Sequence, residues 1–340
     1  MKKSIAIIGE AWGVDEERSR TPFVGWAGSM LNALLDEADI RRQDCLVTNV
    51  FHRRPKDNDI LSFTGPKEEA LGGYPALDKS KYVRSEFGPE LHRLASELIE
   101  ADPNVVVCLG NTAMWAMLGK VKISKLRGIT DITTHTATGF KCLPTYHPAA
   151  IIRQYSLRPI TIIDLIKAKR EAEFPEIRRP RREIWIEPDL GDLHEFDRRY
   201  IQGCTILAVD IETAGTHITC VGFAPRPDIA LVIPFFDGRR KDRNYWSRRE
   251  DEIAAWRFIQ DVLARTESKK LFQNGLYDIA FLWRAMRMQV ISAGEDTMLL
   301  HHSLQPESLK SLGFLGSIYT DEGPWKSDRT NTIGTIKAED

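Results

Sequence analysis

The sequence predicts two α/β domains in one chain, and three observations carry that prediction. The chain has 340 residues, and domains usually run to roughly 100–200 residues each. Short apolar runs alternate with segments of helical periodicity, as in a mostly parallel sheet covered by helices. A charged stretch with two prolines, KAKREAEFPEIRRPRR at 167–182, interrupts the alternation near the middle. The expected division is 1–175, a linker at 176–182, and 183–340. The Arg cluster in this stretch is either a solvated helix end and linker or a contact to a DNA backbone.

Ile5-Ala6-Ile7-Ile8 ends in Gly9 and predicts a buried strand feeding a loop. Met30, Leu31, Leu34, Leu35 and Ala38 recur at helical spacing, and Leu46–Val50 predicts a second strand. Residues 55–86 are polar and rich in Gly, Pro and Lys, which predicts a long insertion. Leu91, Leu94, Leu98 and Ile99 mark a helix, Val105–Leu109 a third strand, and Cys142-Leu143 the end of a fourth. Ligands of such sheets bind at the carboxyl ends of the strands. The loops after Ile8, Val50 and Leu143 are therefore expected to converge. Beyond Glu183 the pattern predicts strands at 184–186, 206–209, 218–223 and 230–234, a helix at 253–263, a strand at 271–272, and helices to the end.

Hydrophobic residues make up 42% and charged residues 28%, enough for each half to bury a core, so disorder is not expected. Lys+Arg is 47 against 48 Asp+Glu, which excludes a globally basic nucleic-acid binder. Any nucleic-acid surface must be a local patch. The five cysteines (Cys45, Cys108, Cys142, Cys204, Cys220) contain no C-x-x-C pair, so a zinc ribbon is not expected. The apolar run before Gly9 is too short for a secretory signal, and no stretch approaches the ~18 apolar residues of a membrane helix. A reducing, cytoplasmic location and no membrane partner are expected.

Glu10 sits between Gly9 and Gly13 directly after the first strand, Phe23 lies between Pro22 and Gly25, Asn49 ends the second strand, and His147 follows the fourth. Each is weak evidence alone, since such residues are commonly structural. Together they make a plausible pocket for one nucleobase. An amide both donates and accepts and so reads a base edge, and a phenyl ring stacks on a base face. An imidazole donates to an oxygen that becomes anionic as a glycosidic bond breaks. A carboxylate orients or deprotonates water.

These pieces belong to longer motifs: GEAWG-x-x-E (9–16), PFVGWAGSML (22–31), TNVFHRRP (48–55), CLGNTAMWAMLG (108–119), ISKLRG (123–128) and TYHPAAIIR (145–153). In content and order they resemble uracil-DNA glycosylases of the family 4 type. The resemblance implies a flipped uracil against Ala11, stacked on Phe23 and read by Asn49. It implies that His147 steadies the departing uracil anion and that Glu10 acts on water. Glu16 would be a second carboxylate near the sugar, and Ile151 a side chain that wedges into the duplex. Two departures stand out: Trp12 replaces the family's usual Pro, and the family's iron–sulfur cysteines are missing, with Arg53 at one of their positions. The cluster is therefore expected to be absent, with the 55–86 insertion taking over its scaffolding role, and the glycosylase needs no cofactor. Trp12 also leaves open a glycosylase aimed at another base.

In the second half, Asp210 and Glu212 stand two apart at a strand end, so alternation puts both on one face. Asn274 and Asp278 stand four apart, on one face of a helix if one begins there. A D-x-E pair alone is often a solvated strand end, but clustered carboxylates invite Mg²⁺ or Mn²⁺ and two-metal chemistry. The motifs VDIET (209–213), FQNGLYD (272–278), EDTMLLHH (295–302, containing Asp296) and LKSLGFLGSIYTDEGPWK (309–326) resemble the ribonuclease H-like 3′–5′ exonuclease of phage family A DNA polymerases. The resemblance implies Asp210, Glu212, Asp278 and Asp340 as metal ligands. Ile336 stands where that family has Tyr, and the chain stops at Asp340, so this domain is expected to be weakly active or to hold single-stranded DNA. The expected function is a uracil-DNA glycosylase fused to an exonuclease-like domain, acting on single- or double-stranded uracil-containing DNA in a bacterial or phage-infected cell. The alternative is a DNA-binding accessory module of a phage replication polymerase, with the polymerase as partner.

Overall fold

The structure is a computed structural model that describes residues 3–322. The described residues divide into two compact units, 3–179 with 313–322, and 180–312.

In the first unit β1 (Ile5–Ala11) leads through α1 (Val14–Ser19) and α2 (Trp26–Glu37) to β2 (Cys45–Phe51). The 55–86 insertion contributes a small antiparallel ribbon, β3 (Thr64–Gly65) with β4 (Tyr82–Val83), before α3 (Gly88–Ala101). Next come β5 (Val105–Leu109), α4 (Gly110–Leu118), α5 (Ile123–Leu126), β6 (Asp131–Ile132), β7 (Lys141–Thr145), α6 (Pro148–Arg153) and α7 (Arg158–Glu171). The main sheet runs β2-β1-β5-β7-β6 and is parallel except for β6, an edge strand the apolar pattern did not mark. Because both faces are covered, β1 and β5 are continuous apolar runs rather than alternating ones. The chain leaves β1 to one side for β2 and later to the other side for β5. The carboxyl end of β1, at Gly9 and Glu10, is therefore the topological switch point, where open α/β sheets bind ligands. The insertion is packed rather than loose: Phe63, Leu77 and Val83 are buried, and Phe63 lies tilted on Phe87 at 4.3 Å.

The second unit opens with β8 (Glu183–Trp185) and α8 (Leu190–Phe196), then the meander β9 (Ile206–Ala214), β10 (His217–Arg226) and β11 (Ile229–Pro234). It continues with α9 (Arg249–Ala264), β12 (Lys269–Phe272), α10 (Leu276–Met286), β13 (Glu295–Asp296) and α11 (Thr297–Leu304). Its mixed sheet runs β13-β12-β9-β10-β11-β8. Both units are thus α/β. Among the described residues no helix is long and apolar enough to cross a membrane.

The segment 309–326 was expected in the second domain. Its described part from Gly313 groups instead with the first unit, through α12 (Leu312–Tyr319). Phe314 and Leu315 are buried in that unit's core. The buried Arg127 donates to Asp164 (Nε–Oδ2 2.9 Å) and to Ser317 Oγ (2.8 Å), and lies over the Phe314 ring. Leu315→Ala is expected to cost the first unit about 2–3 kcal/mol by leaving a cavity. Amide exchange should quicken across β5 and β7; unchanged protection there would mean that α12 is not part of that core.

Candidate active site

Asn49, Phe23 and His147 come together beside Gly9 at the carboxyl end of β1, and Glu10 follows Gly9 on that strand. Glu10 and Gly9 come from β1 itself, Asn49 from β2, Phe23 from the loop before α2, and His147 from the end of β7. Gly9 is what lets them meet. A Cβ there would lie 2.2 Å from Asn49 Oδ1 and 2.3 Å from Phe23 Cζ, so only glycine permits both neighbours.

Phe23 is buried and takes a left-handed backbone conformation (φ 57°), which a bulky residue adopts only under constraint. Three constraints are visible. Arg42 donates to the carbonyls of Pro22 (2.8 Å) and Phe23 (3.0 Å). Gly28 lets α2 pack against the Phe23 carbonyl, where a Cβ would come within 1.9 Å. Glu16 accepts from the backbone N–H groups of Val24 (3.1 Å) and Gly25 (3.0 Å) with one oxygen and from Gly13 (3.1 Å) with the other. Glu16, buried and engaged in this way, staples the β1–α1 loop to the Phe23 loop. That placement differs from a carboxylate free to act at the sugar.

Asn49 is 2% exposed, and its Oδ1 is buried without a hydrogen-bond partner. Its backbone carbonyl is held by Arg93 (2.7 Å), which also holds Val50 O (2.9 Å). A buried, unpaired amide oxygen costs stability unless a ligand satisfies it. The Asn49 oxygen is thus an acceptor that a ligand N–H would satisfy.

His147 caps α6: its Nδ1 accepts from Ala149 N (3.2 Å), so the neutral ring carries its proton on Nε2. Burial, with Arg153 adding to it, brings its pKa down to about 4 despite Glu16. The imidazole is thus a neutral donor near pH 7. Its ring lies 5.8 Å from that of Phe23. Glu10 is pushed up from its ordinary carboxylate range by burial, against a 2.5 Å hydrogen bond from Thr112 Oγ1 and the charge of Arg153. Ala11 ends β1 beside Phe51. Thr112 lies in the 108–119 motif and Arg153 in the 145–153 motif, but nothing local in those motifs distinguished them from surface or core residues.

Ile151 requires a correction. It is fully buried in the core, on the face of α6 that packs on α2, and cannot reach a duplex. The exposed apolar side chain of that helix is Ile152. Trp12 stacks on His52 (4.8 Å). Cys45 begins β2, while Cys108 and Cys142 face each other across β5 and β7 with sulfurs 3.2 Å apart.

In the second unit Asp210 and Glu212 emerge on one exposed face of β9, opposite the buried Val209 and Ile211. Asp278, in the first turn of α10, is buried and accepts from Ile211 N (3.1 Å). Burial first, and then the charge of Asp210, pushes its pKa up to about 6. Asp296 caps α11 and accepts from the backbone of Asn274, Gly275 and Met298, so its oxygens are engaged. Asp340 and Ile336 lie outside the described residues. Among the described residues no group of three or more acidic, His or Cys side chains is arranged to hold a metal ion. The oxygen donors suit Mg²⁺ or Mn²⁺ in kind, but those described do not assemble a site.

Residues 2–177 match the model of the uracil DNA glycosylase superfamily. A Type-4 uracil-DNA glycosylase of Thermotoga maritima is 34% identical over 169 residues, covering 48% of this chain and 76% of that protein. A DNA polymerase of Bacillus phage SP01 is 19% identical over 259 residues, covering 67% of this chain and 27% of that protein. That match is longer than Met1–Arg179 and so reaches into both halves. A solved EXD2 exonuclease domain, soaked in Mg and dGMP, aligns with a TM-score of 0.28 and 10% identity over 40% of this chain and 68% of its own, too distant to argue from.

Proposed function

The chain belongs to the uracil DNA glycosylase superfamily, and from that premise we propose that its first unit takes uracil flipped out of DNA and hydrolyses its N-glycosidic bond. The observation that carries this reading is the unpartnered Asn49 Oδ1, buried against Gly9 and beside Phe23. Uracil offers N3–H to that oxygen and a neighbouring carbonyl to the amide nitrogen, while Phe23 covers one face of the ring. As the C1′–N1 bond breaks, the sugar becomes oxocarbenium-like and the base leaves as an anion. The His147 Nε2–H donates to the base oxygen on which that charge collects. A neutral donor suffices, because the anion is stabilised by the hydrogen bond and need not take the proton. Glu10, ionised, orients and deprotonates the water that adds to C1′, giving free uracil and an abasic site. The chemistry calls on no metal ion, so release is expected to survive EDTA.

The pH dependence follows from the two shifts. Glu10 must lose its proton, and its pKa lies above the ordinary 4.5. His147 stays neutral down to about 4. Single-turnover release is therefore expected to climb with pH through the raised Glu10 value and then level off. Glu10→Gln should lower the plateau and abolish the climb. A pH–rate profile checks this; a climb that persists in Glu10→Gln would assign the ionisation to another group.

For the second unit we propose a 3′–5′ exonuclease-like module that handles single-stranded DNA. Asp210 and Glu212, which lie within β9 rather than at its end, and Asp278 in the first turn of α10 support it, and the phage polymerase match supports a replication setting with a polymerase partner. The free thiols Cys45, Cys108 and Cys142 fit a reducing cytoplasm.

A further inference from the structure

Beside the base slot lies a concavity of about 540 Å³ that the glycosidic chemistry does not use. It is built from the same two strand ends. Glu10 serves the slot and Trp12 lines the concavity; Asn49 serves the slot and His52 lines the concavity. Asn49 and His52 are three residues apart, so their Cα atoms are separated by no more than about 11 Å. Arg53, Arg54, Lys56 and Arg84 surround the opening, and Glu17 is the acid among its lining residues. Arg54 approaches Glu17 only to 4.0 Å with both side chains exposed, a weak pair. Among the described residues Arg53 and Lys56 make no ion pair. Arg53 and Arg84 each place their guanidinium 5.9 Å from the centre of the Phe87 ring, so one aromatic floor holds both forks. Arg84 is further fixed by Glu86 (2.9 Å) and Ser62 O (3.1 Å). His52 is kept neutral by burial and by Arg93, and packs on Trp12 rather than adding charge. Trp12 brings an indole Nε1–H that is buried without an acceptor.

Two guanidiniums over one aromatic floor, with a lysine beside them, are suited to a tetrahedral oxyanion. Resting on the glycosylase reading above, we propose that this concavity binds one backbone phosphate of the uracil-bearing strand, within two nucleotides of the flipped base. It would hold the strand while the slot holds the base, and Trp12 would belong to strand recognition.

The test is a methylphosphonate scan. Single-stranded oligonucleotides with one central uracil and one neutral linkage at each successive position are bound to Glu10→Gln protein, with and without Arg53→Ala. One linkage near the uracil is expected to weaken binding by about 5–10-fold in the Glu10→Gln protein and less than about 2-fold once Arg53 is removed. Lys56→Ala should reproduce this loss of coupling, and each variant should lower the slope of log K against log salt by about 0.7. Coupling at no linkage would overturn the proposal, as would low-millimolar inorganic phosphate competing without any coupled linkage, since that marks a small-anion site. Uracil release by the wild type is scored separately. Release without coupling refutes the phosphate site alone, whereas coupling without release refutes the glycosylase reading and leaves a DNA-phosphate site.

Discussion

Asn49→Ala is expected to slow single-turnover uracil release by about 10²–10³-fold, the usual cost of removing a hydrogen bond that acts on developing charge. The fold should survive. The Oδ1 of Asn49 has no protein partner, so its removal leaves no group newly stranded, and the backbone carbonyl that Arg93 holds is untouched. Losing activity without losing stability is the signature of a ligand-facing polar group, because a structural asparagine would lower both. His147→Ala is expected to reach a similar factor. It also removes the cap that accepts from Ala149 N, at about 1 kcal/mol. Near-wild-type release in both variants would remove these residues from the chemistry.

The second large effect is expected at a residue with no side chain. In Gly9→Ala the new methyl would stand 2.2 Å from Asn49 Oδ1 and 2.3 Å from Phe23 Cζ. Phe23 cannot step aside cheaply, because Arg42, Glu16 and the close approach of Gly28 fix its loop. Asn49 must therefore move, or the slot must fill. Misplacing a recognition group by about 1 Å typically costs ~10² in rate, so release should fall by at least about that much. Gly72→Ala is the matched control: its Cβ meets nothing within 4 Å, and activity should stay near wild type. Equal activity in the two variants would mean that the base does not enter between Phe23 and Asn49.

What the sequence revealed and what it hid follow one physical line. Glu10, Asn49 and His147 stood out because they lie within the last residues of an apolar strand or just after one, and the carboxyl ends of a parallel sheet converge whatever the loops do. The residues that hold them were not. Arg42 reaches Phe23 across 19 positions, Arg93 reaches Asn49 across 44, and Thr112 reaches Glu10 across 102. Such pairings belong to tertiary packing, and a single sequence has no period that encodes them. Ile151 shows the same limit on a helix. Its neighbour Ile152 is equally apolar, and only the packing of α6 on α2 decides which of the two is buried. At 312–319 the apolar spacing announced a helix but not which unit it would complete.

The most direct measurement is incubation of an end-labelled single-stranded oligonucleotide containing one central uracil, in EDTA, with wild-type, Asn49→Ala and Gly9→Ala proteins. Alkali-labile cleavage at the uracil is scored. The account predicts cleavage at that site by the wild type and loss of most of it in both variants. No cleavage by the wild type, or equal cleavage by all three, would contradict it.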